Sequence, residues 1–184
     1  DKPSAGAVQT TFSAVRVRRN ILRRSSVGAI ATGRWPAASG IDANGAAGVD
    51  ADFRFFDNVQ ATAYWARTSS AGSGDGTSYR ARFLYAGDRY GVEVDRLVIG
   101  PAFNPEVGFV RRGDAAITSA SGRFSPRLRP GRLVRKLTWQ GDLEYITDAA
   151  GDVLEDRAAS GQFGVEFNSG DRVTMTGTRL YERL

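Results

Sequence analysis

The feature that most limits how this chain can fold is a strict two-residue alternation of apolar and polar side chains, recurring in paired runs. Val49, Ala51, Phe53 and Phe55 alternate with Asp50, Asp52 and Arg54, and Val59, Ala61, Ala63 and Trp65 alternate with Gln60, Thr62 and Tyr64. A period of two sends successive side chains to opposite faces of a strand, so each run has one apolar and one polar face. Phe56-Asp57-Asn58 between the runs is a tight-turn signal, and the three pieces predict an antiparallel hairpin. A second hairpin is predicted from Tyr79, Ala81, Phe83 and Tyr85, set against Ser78, Arg80 and Arg82. It turns at Ala86-Gly87-Asp88 and returns through Tyr90, Val92 and Val94 against Glu93 and Asp95. A third pairs Phe163, Val165 and Phe167 with Val173 and Met175 across Asn168-Ser169-Gly170-Asp171.

Weaker strand signals lie over residues 10–18, 26–33, 116–124 and 133–146, and residues 19–24 form the helical candidate. No internal repeat or linker divides the chain. The expectation is therefore one all-β domain over residues 1–184, an antiparallel meander of about ten strands forming a barrel or part-barrel, with a soluble β-sandwich as the alternative.

The connections bear on that choice. Residues 33–48, 69–77 and 100–114 read as long, and Asp57-Asn58 and Gly87-Asp88 as short. Alternating short turns and long loops are typical of outer-membrane-type barrels. Phe53, Phe55, Phe56, Phe83, Tyr85 and Tyr90 gather beside the short turns, like an interfacial girdle. A soluble sheet with ordinary cross-strand aromatic pairs gives the same pattern. No stretch approaches the roughly 20 apolar residues that a membrane helix needs, but a spanning barrel needs only alternating strands.

Composition narrows the chemistry. The chain has no Cys and no His, which removes disulfides, zinc–thiolate sites, thiol nucleophiles and every Ser-His-Asp arrangement. Lys2 and Lys136 are the only lysines, leaving little room for Ser-Lys chemistry. The expectation is a protein that is not an enzyme and holds no cofactor or metal. Ser73-Gly74-Asp75-Gly76 and Asp148-Ala149-Ala150-Gly151-Asp152 look like calcium loops but lack the spacing and the closing Glu, so both read as turns. No carboxylate pair of the glycosidase kind stands out.

Two charged groups remain. Arg80, Arg82, Glu93 and Asp95 fall on the polar side of one hairpin, where they could form a charged ladder along a lumen or a solvated face. Arg16, Arg18, Arg19, Arg23 and Arg24 could meet an acidic partner, phosphate or a lipid headgroup. No stacking aromatics are interleaved with them, which argues against nucleic acid.

The segment Gly100-Pro101-Ala102-Phe103-Asn104-Pro105-Glu106-Val107-Gly108-Phe109-Val110-Arg111-Arg112 is not a generic turn. It resembles a hallmark of the bacterial carbohydrate-binding family 9 domain-containing proteins. Val15-Arg16-Val17-Arg18-Arg19 leading to Ser25-Ser26-Val27-Gly28-Ala29, then Asp50-Ala51-Asp52-Phe53-Arg54-Phe55, agree in order. So do Leu143-Glu144-Tyr145-Ile146-Thr147-Asp148 and Tyr181-Glu182-Arg183-Leu184.

In that family a sugar-binding-like sandwich precedes a C-terminal β-rich domain of unknown function, thought to be an outer-membrane barrel. The resemblance covers the C-terminal domain and not the sandwich, so it carries over no sugar binding. The resemblance implies a bacterial cell-envelope protein, in the outer membrane or on its periplasmic side. Relatives continue with further strands, so the sheet is expected to have open edges that need a partner. From the residues we expect Pro105 to hold the backbone extended, Gly108 to permit a close approach, and the two Phe residues to plug a barrel mouth.

The functional expectation is a non-enzymatic, barrel-like accessory or scaffolding part of a larger membrane-associated assembly. Its partners would be proteins of that assembly, with membrane contact open and nucleic acid excluded. The expected partner-binding residues are Arg16, Arg18, Arg19, Arg23, Arg24, Phe103, Asn104, Phe109, Arg111 and Arg112. The competing expectations are a self-contained outer-membrane pore whose first and last strands pair, and a carboxylate-based envelope glycan hydrolase or glycan-binding domain.

Overall fold

A computed structural model of the chain describes residues 8–37, 43–70, 72, 74–110, 112–129 and 133–183. Ten strands follow one another: β1 (Thr10–Ile21), β2 (Ser25–Pro36), β3 (Asn44–Phe55), β4 (Val59–Ser70), β5 (Gly74–Ala86), β6 (Tyr90–Ile99), β7 (Ala115–Phe124), β8 (Val134–Thr147), β9 (Leu154–Phe167) and β10 (Arg172–Glu182). All are antiparallel neighbours in one sheet, in sequence order. The all-β antiparallel meander read from the alternation is thus the fold.

The three predicted hairpins form, with Phe53 opposite Ala61, Phe83 opposite Val94 and Phe163 opposite Met175. Turn geometry explains their tightness. Phe56 has φ 55° and Gly170 φ 95°, each reversing the chain in the left-handed region. Residues 19–24 are not a helix: β1 runs through Ile21, and Leu22–Arg24 is a turn with Leu22 at φ 54°. The run 69–77 is not a long loop either. β4 extends to Ser70 and β5 starts at Gly74, because Gly74, Asp75 and Gly76 pair with Ser70, Ser69 and Thr68. The 33–48 gap shrinks to residues 37–43, since β2 reaches Pro36. The 100–114 loop remains long.

The connections 22–24, 56–58, 87–89, 125–133 and 168–171 lie at one end of the sheet, called here the turn end. Those over 37–43, 71–73, 100–114 and 148–153 lie at the other, the loop end. β1 hydrogen-bonds to β2 alone and β10 to β9 alone, and β1 and β10 make no contact with each other. The expectation that the two terminal strands pair fails, and both edges are open.

The sheet has almost no apolar core. Among the described residues the buried hydrophobic ones are Val98, Ala115 and Ala116. Most of the fully buried positions are instead polar: Ser25, Ser26, Asn44, Thr68, Ser78 and Ser125 among them. Large apolar side chains such as Trp65, Tyr79, Phe83, Val94 and Trp139 are more than a third exposed. A soluble domain this size would cover such a face with a second layer; no other described element lies on it.

Candidate functional site

The two faces of the sheet differ in kind. Successive registers keep parity apart from two irregularities between β8 and β9, so most of the large apolar residues of the ten strands share one face. At the turn end that face carries Phe53, Phe55, Phe83 and Tyr85, then a ladder of rings across four strands. Tyr90 stacks on Phe124 at 5.2 Å, Phe124 on Trp139 at 5.6 Å, and Trp139 tilts against Phe163 at 5.4 Å. Arg89 covers this ladder's end, 5.4 Å from the Tyr90 ring centroid and 5.2 Å from that of Phe124. Toward the loop end the same face carries Trp35, Trp65, Tyr79, Tyr145 and Tyr181. On β5 and on β8 the two aromatic bands are six residues apart (Tyr79 to Tyr85, Trp139 to Tyr145), roughly 20 Å along a strand. Between them lie mostly Ala, Val, Leu and Gly, with Arg179 on β10 the charged exception. Both bands drift in the same direction along successive strands, as the stagger of a barrel wall requires.

The opposite face is polar and its charges are paired. Arg16 donates to Asp50 at 2.6 Å, Gln60 to Asp52 at 2.9 Å, and Arg82 to Glu93 at 2.7 Å. Arg80 grips Asp95 through Nε, 2.8 and 3.1 Å from its two carboxylate oxygens, and also through a second guanidinium nitrogen. Tyr64 and Ser78 share a hydroxyl–hydroxyl bond of 3.0 Å, and Gln140 and Ser160 both donate to Asp142. The sequence-predicted ladder of Arg80, Arg82, Glu93 and Asp95 is therefore assembled as expected. Asp50, Asp52, Glu93, Asp95 and Asp142 are each engaged by a neighbouring guanidinium, amide or hydroxyl.

At the loop end the 100–114 connection folds onto this polar face. The Asn104 amide donates to Thr68 Oγ1 at 3.0 Å. Asn44 Nδ2 donates to the Asn104 carbonyl at 2.8 Å and to Ser70 Oγ at 2.7 Å, and Asn44 Oδ1 accepts from the Glu106 amide at 3.3 Å. Glu106 is also ion-paired with Arg34. The close-approach glycine is Gly76, where a Cβ would lie 2.2 Å from the backbone of Ala102 and Phe103. Gly108 would meet nothing closer than the Pro105 carbonyl at 3.4 Å, so the expectation for Gly108 was misplaced. Phe109 is 85% exposed and Phe103 half-buried, so the loop narrows the polar face by its backbone and polar groups rather than by two inserted rings. The missed residues Asn44, Thr68 and Gly76 come from three strands, and the legible hint was three glycines in a run read as loop.

The expected partner-binding set does not converge. Arg16 and Arg18 lie on the polar face, the latter on Ser26 Oγ at 2.8 Å, whereas Arg19 is on the apolar face. Arg23 and Arg24 are in the first turn, with Arg24 on Asp57 at 2.8 Å. Phe103, Asn104 and Phe109 are at the loop end, where Arg112 pairs with Glu155 and lies 3.7 Å from Asp156. Arg111 lies outside the described residues. Asp75 pairs with Arg67 at the start of β5, and Asp148–Val153 closes as a turn with Gly151 at φ 86°, so neither run is built as a cation loop. At the turn end Arg127 hydrogen-bonds to Asp88 and holds its carboxyl below the ordinary range.

No family model, curated protein or solved structure matches the chain.

Proposed function

We propose that the chain is a non-catalytic wall of a bacterial outer-membrane β-barrel, its apolar face toward lipid and its charged face toward the lumen. One observation carries this reading: an uncovered face of Val, Ala, Leu and Gly bounded by two aromatic bands, backed by a face of paired charges. A bilayer covers such a face without a second protein layer, and the aromatic bands sit where rings favour the membrane–water boundaries. The six-residue spacing is on the scale of the apolar band of such barrels, about 25 Å. The resemblance to the β-rich domain of carbohydrate-binding family 9 domain-containing proteins points the same way.

Within that reading the chain works as a scaffolding part. β1 and β10 offer unpaired backbone groups that only further strands can satisfy in a membrane. The 100–114 loop, folded back on the polar face, narrows the passage beside the charged ladder. The absence of His and Cys and the engagement of the carboxylates favour a structural over a catalytic role.

Fractionation tests it. Membranes of a bacterium expressing the chain should retain it through alkaline carbonate and high salt and release it only to detergent. Release by salt or alkali, with the bilayer intact, would instead identify a peripheral sheet whose apolar face is covered by protein.

A further inference from the structure

The apolar face is not uniformly apolar. Arg96 on β6, Thr118 on β7, Tyr145 on β8, Arg157 on β9 and Tyr181 on β10 face one another in a single cross-strand row at its loop-end border. Arg179 stands one register step further in, opposite Ala159. Arg96 makes one hydrogen bond, to Thr118 at 2.7 Å, and Arg157 and Arg179 have no ion pair or hydrogen bond among the described residues. Glu155, two residues before Arg157 in β9, is ion-paired with Arg112. Three exposed guanidinium groups on a face turned to lipid are unfavourable, by about 2–4 kcal/mol each near the midplane and close to zero at the border. Their grouping on three strands of one half of the sheet calls for an anion.

Beside them the surface is cut away. Gly122, Gly141, Gly161 and Gly177 face each other across β7–β10, so four neighbouring strands present bare backbone at one level. Ala120, Leu143 and Ala159 form the adjoining level, and the Tyr90–Phe124–Trp139–Phe163 ladder closes the far side. The result is a shallow apolar floor with a cationic, hydroxyl-bearing rim at one end.

We infer that this floor holds a phosphate-bearing lipid of the loop-side leaflet, its acyl chains on the glycine level and its phosphate gripped by Arg157 and Arg179 on neighbouring strands, with Arg96, three strands away in the same row, adding positive charge. The proposal rests on the reading that the apolar face meets the bilayer. Guanidinium is the side chain best shaped for phosphate oxygens, and long stems let Arg157 and Arg179 reach the headgroup layer from positions below it. Tyr145 and Tyr181 add hydroxyls on the rim. A zwitterionic headgroup offers the same phosphate with a cation beside it, so the site discriminates by net charge.

The test uses the full chain reconstituted in phosphatidylcholine vesicles, with Trp35→Phe and Trp65→Phe leaving Trp139 as the reporter. Phosphatidic acid brominated on its acyl chains should quench Trp139 several-fold more than the same small fraction of brominated phosphatidylcholine. That preference should vanish in Arg96→Gln/Arg157→Gln/Arg179→Gln and shrink with added salt. Equal quenching by the two lipids, which needs no variant to read, would overturn the headgroup site and leave the membrane reading standing. Quenching by neither lipid would overturn both. Loss of the preference on adding inorganic phosphate at constant ionic strength would show a free-anion site and also overturn the proposal.

Discussion

Gly76 has no side chain because the Ala102–Phe103 backbone crosses it, and no rotamer change can clear a Cβ 2.2 Å from a peptide group. Gly76→Val should therefore lift the 100–110 segment off the polar face, at a cost of about 1–3 kcal/mol. Thr68→Val removes one bond without bulk and should loosen the same segment by about 1 kcal/mol. Exchange of the Asn104 amide reads both: it should accelerate more in Gly76→Val than in Thr68→Val, and unchanged exchange in both would mean the loop is held elsewhere. Asp88 supplies a pH-dependent test at the turn end. Its carboxyl is held low by the hydrogen bond from Arg127, then by that residue's charge. A depressed folded-state value means the stabilisation is complete above the ordinary Asp pKa and is lost as pH falls through the folded value. Carbon-detected NMR of Asp88 should titrate below the usual range in the native protein and return toward it in Arg127→Ala.

At the scale of elements, the β5–β6 hairpin carries the best-formed charge pair. Asp95 is 9% exposed and Arg80 contacts both its oxygens, so Arg80→Ala leaves a nearly buried carboxylate without its cation. Partial exposure of the arginine weakens the loss, and we expect about 1–2 kcal/mol, with Arg16→Ala costing less because Asp50 is more open. Denaturant unfolding from detergent, with the Arg80→Ala/Asp95→Asn double variant recovering part of the loss, measures it.

The hairpins were legible because alternation and turn residues agree within a few residues of each other. The polar ladder followed from parity alone. What escaped needed information from far along the chain. The first turn has Leu22 in a left-handed conformation, and its residues Leu22-Arg23-Arg24 include no Gly, Asn or Asp to announce it, so residues 19–24 resembled a helix. The run 69–77 looked like a loop by its glycines, yet Gly76 serves a contact with residue 102 that no local pattern encodes. The cationic row and the glycine level exist only once four registers are fixed, which is why neither could be read from spacing.

For the whole molecule the decisive property is the open edge on each side. Amide exchange of the chain alone in detergent should leave β1 and the outer side of β10 exchanging orders of magnitude faster than β4–β8. Both edges as protected as β5 would mean that they are satisfied, by closure or by a second copy, and the open wall would fall.

The meander has one more consequence. Each strand touches only its predecessor and its successor, so every strand–strand contact is the zipping of one more hairpin onto an existing edge. The entropy of closing each loop is small because the ends are already near each other in the chain. Assembly can therefore start at any of the tight turns and spread strand by strand in both directions, rapidly for so much β-structure. A destabilising change in β9 should slow the addition of β10 while leaving the rate at which β4 and β5 come together untouched.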